Sequence, residues 1–141
     1  MINLAAVIVL INDGLVLGVS RRNDKTKFGL AGGKRDPGEL IDLTAVRELR
    51  EETGLIVDPN RMYYIYSRVE PAEKSGGEDF NCECFYAISW TGKITPEKGL
   101  EVKWVPMSVL IDPKTAAFAE YNKNTFDAFN KLFPKVYKTL K

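Results

Sequence analysis

A chain of 141 residues, 45% apolar and 28% charged, is long enough for one domain with its own hydrophobic core and needs no metal or disulfide staple. Lys and Arg number 20 against 19 Asp and Glu, a net charge of +1, which argues against a general nucleic-acid or membrane binder. There is no histidine, which excludes a Ser-His-Asp triad, a Cys-His pair and the His-based zinc sites.

Leu4 to Ile11 is rich in β-branched residues and reads as a strand. Asn12-Asp13-Gly14 signals a tight turn, and Leu15 to Ser20 returns, so the chain is expected to open with a hairpin. This apolar start is short, lacks a basic flank and a small-residue cleavage site, and is broken by the turn. No stretch approaches the roughly 20 apolar residues of a membrane helix, so a soluble, cytoplasmic protein is expected. Arg21 to Lys27 reads as a polar loop, and Phe28 to Leu30 as a short strand leading into a Gly32-Gly33 loop. Asp36-Pro37-Gly38 is a turn. Leu40 to Thr53 is composed of helix formers, with Gly54 where a C-terminal cap glycine belongs.

Arg61 to Val69 reads as a strand, 71–79 as a polar loop containing Gly76-Gly77, Phe80 to Trp90 as a strand, and Glu101 to Val105 as a short one. Cys82 and Cys84 lie two apart on a strand, so both face one way, in poor geometry for a disulfide, and they read as small apolar residues in a reducing cytosol. Asp112-Pro113 resembles a helix start, and Phe118, Tyr121, Thr125, Phe129 and Leu132 recur at helical spacing up to about Phe133. One domain over 1–141 follows, a mixed sheet with helices on both faces, one helix mid-chain and one C-terminal.

The mid-chain helix carries an oddity. At about 100° per residue, Glu51 and Glu52 lie roughly 60° and 40° to either side of Glu48, so three carboxylates share one face. Ala45, Val46 and Leu49 occupy a neighbouring arc that can pack on the sheet. Carboxylates this close raise one another's pKa unless a cation compensates. Such oxygen density suits Mg²⁺ or Mn²⁺, which keep waters and accept phosphate oxygens. Arg47 is placed to pair with Glu51 at i,i+4, the Gly33 carbonyl to complete a metal shell, and Lys34 and Arg35 to add positive charge where phosphates arrive.

From Gly33 the chain reads five residues, Glu39, seven residues, then Arg47-Glu48-Leu49-Arg50-Glu51-Glu52-Thr53-Gly54-Leu55. This stretch, 33–55, resembles the signature of the Nudix hydrolase family, including MutT-like pyrophosphohydrolases, at all its specified positions. Ala31 departs from a proline that many members carry there. The resemblance implies an α/β fold, an α/β/α sandwich with a mixed sheet, and hydrolysis of a nucleoside diphosphate linked to another group. It further implies that Glu48, Glu51 and Glu52 hold Mg²⁺ (or Mn²⁺) with the Gly33 carbonyl. Arg47 would then orient the carboxylates and Glu39 support the loop–helix junction. Members take a further base or ligand from outside the signature, and Glu83, Glu97 and Glu101 are the candidates here.

The signature is silent about the linked group. Arg21, Arg22, Phe28, Lys34 and Trp104 are the candidate substrate-binding residues, with Trp104 able either to stack on a base or to pack in the core. Pro71, sixteen residues past Leu55, has a spacing that resembles ADP-ribose pyrophosphatases. A (d)NTP pyrophosphohydrolase of the nucleotide-sanitising type is the leading expectation. ADP-ribose or dinucleotide pyrophosphatase is the alternative, and a non-catalytic nucleotide-binding module is the alternative of another class. The expected partner is a small nucleotide, with no membrane and, lacking a basic stripe, no nucleic acid. Monomer and homodimer both stay open.

Overall fold

The structure is a computed structural model that describes residues 3–70 and 79–141. Pro71 and Gly76-Gly77 lie outside the described residues. Two four-stranded sheets form the frame. In the first, β1 (Asn3–Val9) is central, antiparallel to β5 (Ala31–Lys34) and parallel to β7 (Phe80–Ala87), with β6 (Met62–Glu70) outside β7. In the second, β3 (Leu15–Ser20) pairs with β2 (Ile11–Asn12), β4 (Phe28–Gly29) and β8 (Val102–Val105).

The opening hairpin is therefore much shorter than expected. Only Ile11 and Asn12 pair with Val16 and Leu15, while β1 belongs to the other sheet. The reason is burial. β1 is covered on both faces, and a continuous apolar run suits such a central strand as well as it suits a hairpin arm. The Gly32-Gly33 segment is also a strand and not a loop, with Val7 opposite Gly32 and Ala6 opposite Gly33.

Helix α1 (Ile41–Thr53) covers one face of the first sheet. Ala45 and Leu49 on the helix meet Ala6 and Ile8 on β1 and Ala31 on β5, all fully buried. Gly54 ends the helix in the left-handed conformation at φ 79° and donates its amide to the Arg50 carbonyl, as the sequence leads one to expect. The opposite face, carrying Val9, Cys82 and Cys84, is covered by α3 (Ala119–Leu132) through Tyr121, Phe126 and Phe129. Both thiols are buried and free. The result is the expected α/β/α arrangement.

The C-terminal region differs from its sequence reading. Asp112-Pro113 does not start a helix; Asp112 follows a short helix α2 (Met107–Ile111). Residues 115–117 instead run beside β4, where Phe28 donates to the Thr115 carbonyl and Ala117 donates to the Phe28 carbonyl. Those bonds hold the backbone extended until Phe118, which turns it in the left-handed region at φ 59° and caps α3. Phe118 is thus outside the helical stripe, and Leu132 is 54% exposed, while Asn122 and Phe126 are buried in their stead. A short helix α4 (Pro134–Tyr137) closes the chain.

Candidate active site

Arg47 is the hub of the carboxylate cluster. Its Nε and Nη2 donate to the two Glu39 oxygens at 2.8 and 3.1 Å. Nη1 donates to Glu48 at 3.0 Å and to Glu51 at 3.1 Å, and Nη2 also reaches the Lys34 carbonyl at 2.9 Å. One planar guanidinium therefore ties the start of α1, its middle and the end of β5 together. Glu39 also accepts from the buried Thr44 hydroxyl at 2.7 Å and from the Asp36 amide. The Arg47 hydrogen bonds are the main reason its carboxyl is held down to a pKa of about 2.

Glu48 and Glu52 stand in the opposite condition. Burial raises both above the ordinary carboxylate range, Glu52 to about 8, with the Glu48 and Glu97 charges adding to the rise at Glu52. The Glu52 carboxylate accepts the Gly32 amide at 2.9 Å. The Glu48 carboxylate lies directly over Gly33. A Cβ there would sit 2.6 Å from the carboxyl carbon and 2.8 Å from each oxygen. Glu51 is about half exposed and turned onto Arg47.

Among the described residues, no three carboxylate or thiol groups converge as a ready-made cation cluster. The reason is local: Arg47 neutralises Glu51 and half of Glu48 from one side. The donor set still fits a hard divalent cation. Two partly buried carboxylates are held above their ordinary pKa for want of nearby positive charge, and only a glycine leaves room beside Glu48 for a further oxygen ligand.

Of the three candidates outside the helix, Glu97 is the one whose charge acts on both Glu48 and Glu52. Its amide donates to the Glu52 carbonyl at 3.0 Å, beside a Thr95 amide on the Thr53 carbonyl at 2.7 Å, so the free end of α1 anchors this segment. The Glu97 carboxylate pairs with Arg22, which also donates to the Lys98 carbonyl at 2.9 Å. Glu101 is exposed, with Lys103 3.9 Å away, and Glu83 lies beside Ala6 on the α1 face of the sheet.

Next to Glu52 opens a cavity of about 600 Å³, lined by Arg21, Arg22, Lys34, Gly32 and Gly33 at one end and by Phe118 and Asn122 at the other. Three of the five candidate substrate residues thus line it. The other two do not. Trp104 packs on Trp90, ring centroids 5.5 Å apart, in the core beneath α1, and Phe28 is 6% exposed in the core beneath α3. A strand of alternating burial places either aromatic in a core as readily as in a pocket, which is why sequence alone left them as candidates.

The family model for the NUDIX domain matches residues 1–129. A protein of Bacillus subtilis, provisionally named an 8-oxo-dGTP diphosphatase, is 33% identical over 63 residues, 45% of this chain and 42% of that protein. An ADP-ribose pyrophosphatase of Methanocaldococcus jannaschii is 36% identical over 61 residues, 42% of this chain and 36% of that protein. The matches thus span less than half the length of these curated relatives. The crystal structure of a MutT NUDIX hydrolase from Burkholderia pseudomallei shares the fold at TM-score 0.74 and 20% identity, covering 91% of this chain and 98% of that one.

Proposed function

This chain belongs to the Nudix family, and on that premise we propose that it is a hydrolase of phosphoric anhydrides that cuts the diphosphate of a nucleotide derivative with the help of Mg²⁺ or Mn²⁺. The observation that carries this reading is the pair of cation-poor carboxylates, Glu48 and Glu52, set against Gly33 at the mouth of a cavity rimmed by Arg21, Arg22 and Lys34. Carboxylates for a metal and cations for phosphates stand at one end, with room for a nucleoside beyond.

Glu48, Glu52 and the Gly33 carbonyl would hold the ion, joined by Glu51 once it turns from Arg47. When bound, the ion supplies charge neutralisation on the diphosphate and a water of lowered pKa. The chain's own groups do the rest. Arg47 fixes the direction of the Glu48 and Glu51 oxygens. Lys34 and Arg22 meet the phosphates, and an Arg22 drawn onto a phosphate releases the Glu97 carboxylate to accept a proton from the attacking water.

Our leading substrate class is a (d)NTP, including oxidised purine nucleotides, in keeping with the Bacillus subtilis relative. The second reading is ADP-ribose or a dinucleotide, favoured by the Methanocaldococcus jannaschii relative. A substrate panel with Mg²⁺ and Mn²⁺, scored by product, separates them. Nucleoside monophosphate plus pyrophosphate supports the first, and AMP plus ribose 5-phosphate the second. If no nucleotide is hydrolysed in a metal-dependent way, and Glu52→Gln leaves nucleotide binding unchanged, the enzyme reading fails and a binding module replaces it.

A further inference from the structure

The far end of the cavity holds a polar group that nothing above uses. Asn122, in the first turn of α3, is 2% exposed and lines the cavity. Both hydrogens of its amide are spent on backbone carbonyls, Leu110 at 2.8 Å and Ala117 at 2.9 Å. Those two bonds also settle which side-chain atom is nitrogen, since an oxygen facing two carbonyls would have nothing to donate. What is left is Oδ1, which accepts no hydrogen bond from the described residues and is the side chain's one unspent polar atom toward the cavity. A buried acceptor without a donor is costly unless something supplies one.

The surroundings are built to keep it so. The Ala117 carbonyl is aimed at Asn122 because Ala117 is tied to Phe28 and the next residue, Phe118, turns the chain at φ 59°. A bulky residue in that region costs of the order of 1–2 kcal/mol, and such strain gathers at ligand sites. The Phe118 ring borders the same cavity, with the Arg21 guanidinium 5.3 Å from its centroid.

We propose that Asn122 is a specificity-determining residue for the nucleoside end of the substrate, selecting a nucleobase that offers an amino or ring N–H donor to its Oδ1. The inference rests on the function proposed above. The floor beside Asn122 offers an acceptor where the rim offers cations, so the two ends of a nucleotide are read by opposite chemistry. An edge bearing only acceptors leaves Oδ1 unpaired, a penalty of the size that separates substrates 10-fold or more.

The test is binding of 5′-monophosphates in pairs that differ by one donor, followed by calorimetry: AMP against purine riboside monophosphate, GMP against IMP, CMP against zebularine monophosphate, and 8-oxo-dGMP against dGMP. At least one pair is expected to favour the donor-bearing member by 10-fold or more, and Asn122→Leu is expected to bring that ratio to about one. If all four pairs bind within about 3-fold in the wild-type protein, or none binds, Asn122 only pins α3 and the inference is overturned. The wild-type ratios decide the matter even where the variant does not fold. Metal-dependent hydrolysis with flat ratios sinks this inference alone, whereas donor preference without hydrolysis sinks the enzymatic reading alone.

Discussion

Gly32 and Gly33 are neighbours on β5, yet replacing each with alanine should do opposite things. A Cβ at Gly32 would lie 2.1 Å from the Ala6 carbonyl oxygen and 2.6 Å from the Val7 Cα. Both are backbone atoms of the central strand, which is hydrogen-bonded on two sides and cannot retreat. Overpacking against a backbone falls at the upper end of the usual range, so Gly32→Ala should cost about 3 kcal/mol. At Gly33 the obstacle is the Glu48 carboxyl, the mobile end of a side chain. It can swing aside, so Gly33→Ala should cost under about 1 kcal/mol. The swing moves a metal-ligating oxygen by about an ångström, which is worth on the order of 100-fold in kcat/KM. Urea unfolding of both variants, with Mn²⁺ binding and hydrolysis of the preferred nucleotide, reads the two effects separately. The reasoning is refuted if Gly33→Ala keeps wild-type metal affinity and rate, or if it unfolds more easily than Gly32→Ala.

Arg47→Ala removes the cation shared by Glu39, Glu48 and Glu51 and should lower stability by about 3 kcal/mol, with Arg47→Lys recovering less than half because one ammonium cannot span those partners; denaturant titration checks both. Glu52 titrates near 8 in the folded chain against an ordinary 4.5. Between these values the unfolded state has released its proton and the folded state has not, so metal-free protein should lose stability as pH rises from about 5 to 8. Melting curves in chelator should show that slope, and Glu52→Gln should flatten it. Gly54→Ala forces a side chain into φ 79° and to 2.9 Å from the Lys93 carbonyl, for a loss of about 2 kcal/mol visible as a lower Tm.

The cluster on α1 was legible because local spacing creates it. Glu48, Glu51 and Glu52 share a face on any helix, and Arg47 reaches Glu51 at i,i+4 whatever the sheet does. Glu39 and Arg47, eight residues apart, required the fold to meet, and only the family resemblance placed them together. What stayed hidden came from pairings between distant segments. Nothing near Asp112-Pro113 says that residues 115–117 will lie along β4, yet that contact delays α3 to Ala119 and strains Phe118. Asn122 was the one missed residue with a local signal, a polar side chain at a core position between Tyr121 and Thr125. Arg22 and Glu97, 75 residues apart, had none.

The bonds from Thr95 and Glu97 to the last turn of α1 bear on how a site of this kind can change over time. A helix end always has carbonyls to offer, and they accept an amide from any residue type except proline. A passing loop can therefore be registered to the carboxylates by its backbone alone. The side chain that arrives above Glu52 is then set by loop length, and inserting or deleting one residue before Glu97 exchanges it for a neighbour while the anchor persists. The proton acceptor of such a site is free to wander along the sequence, whereas the metal-holding helix that receives it is not.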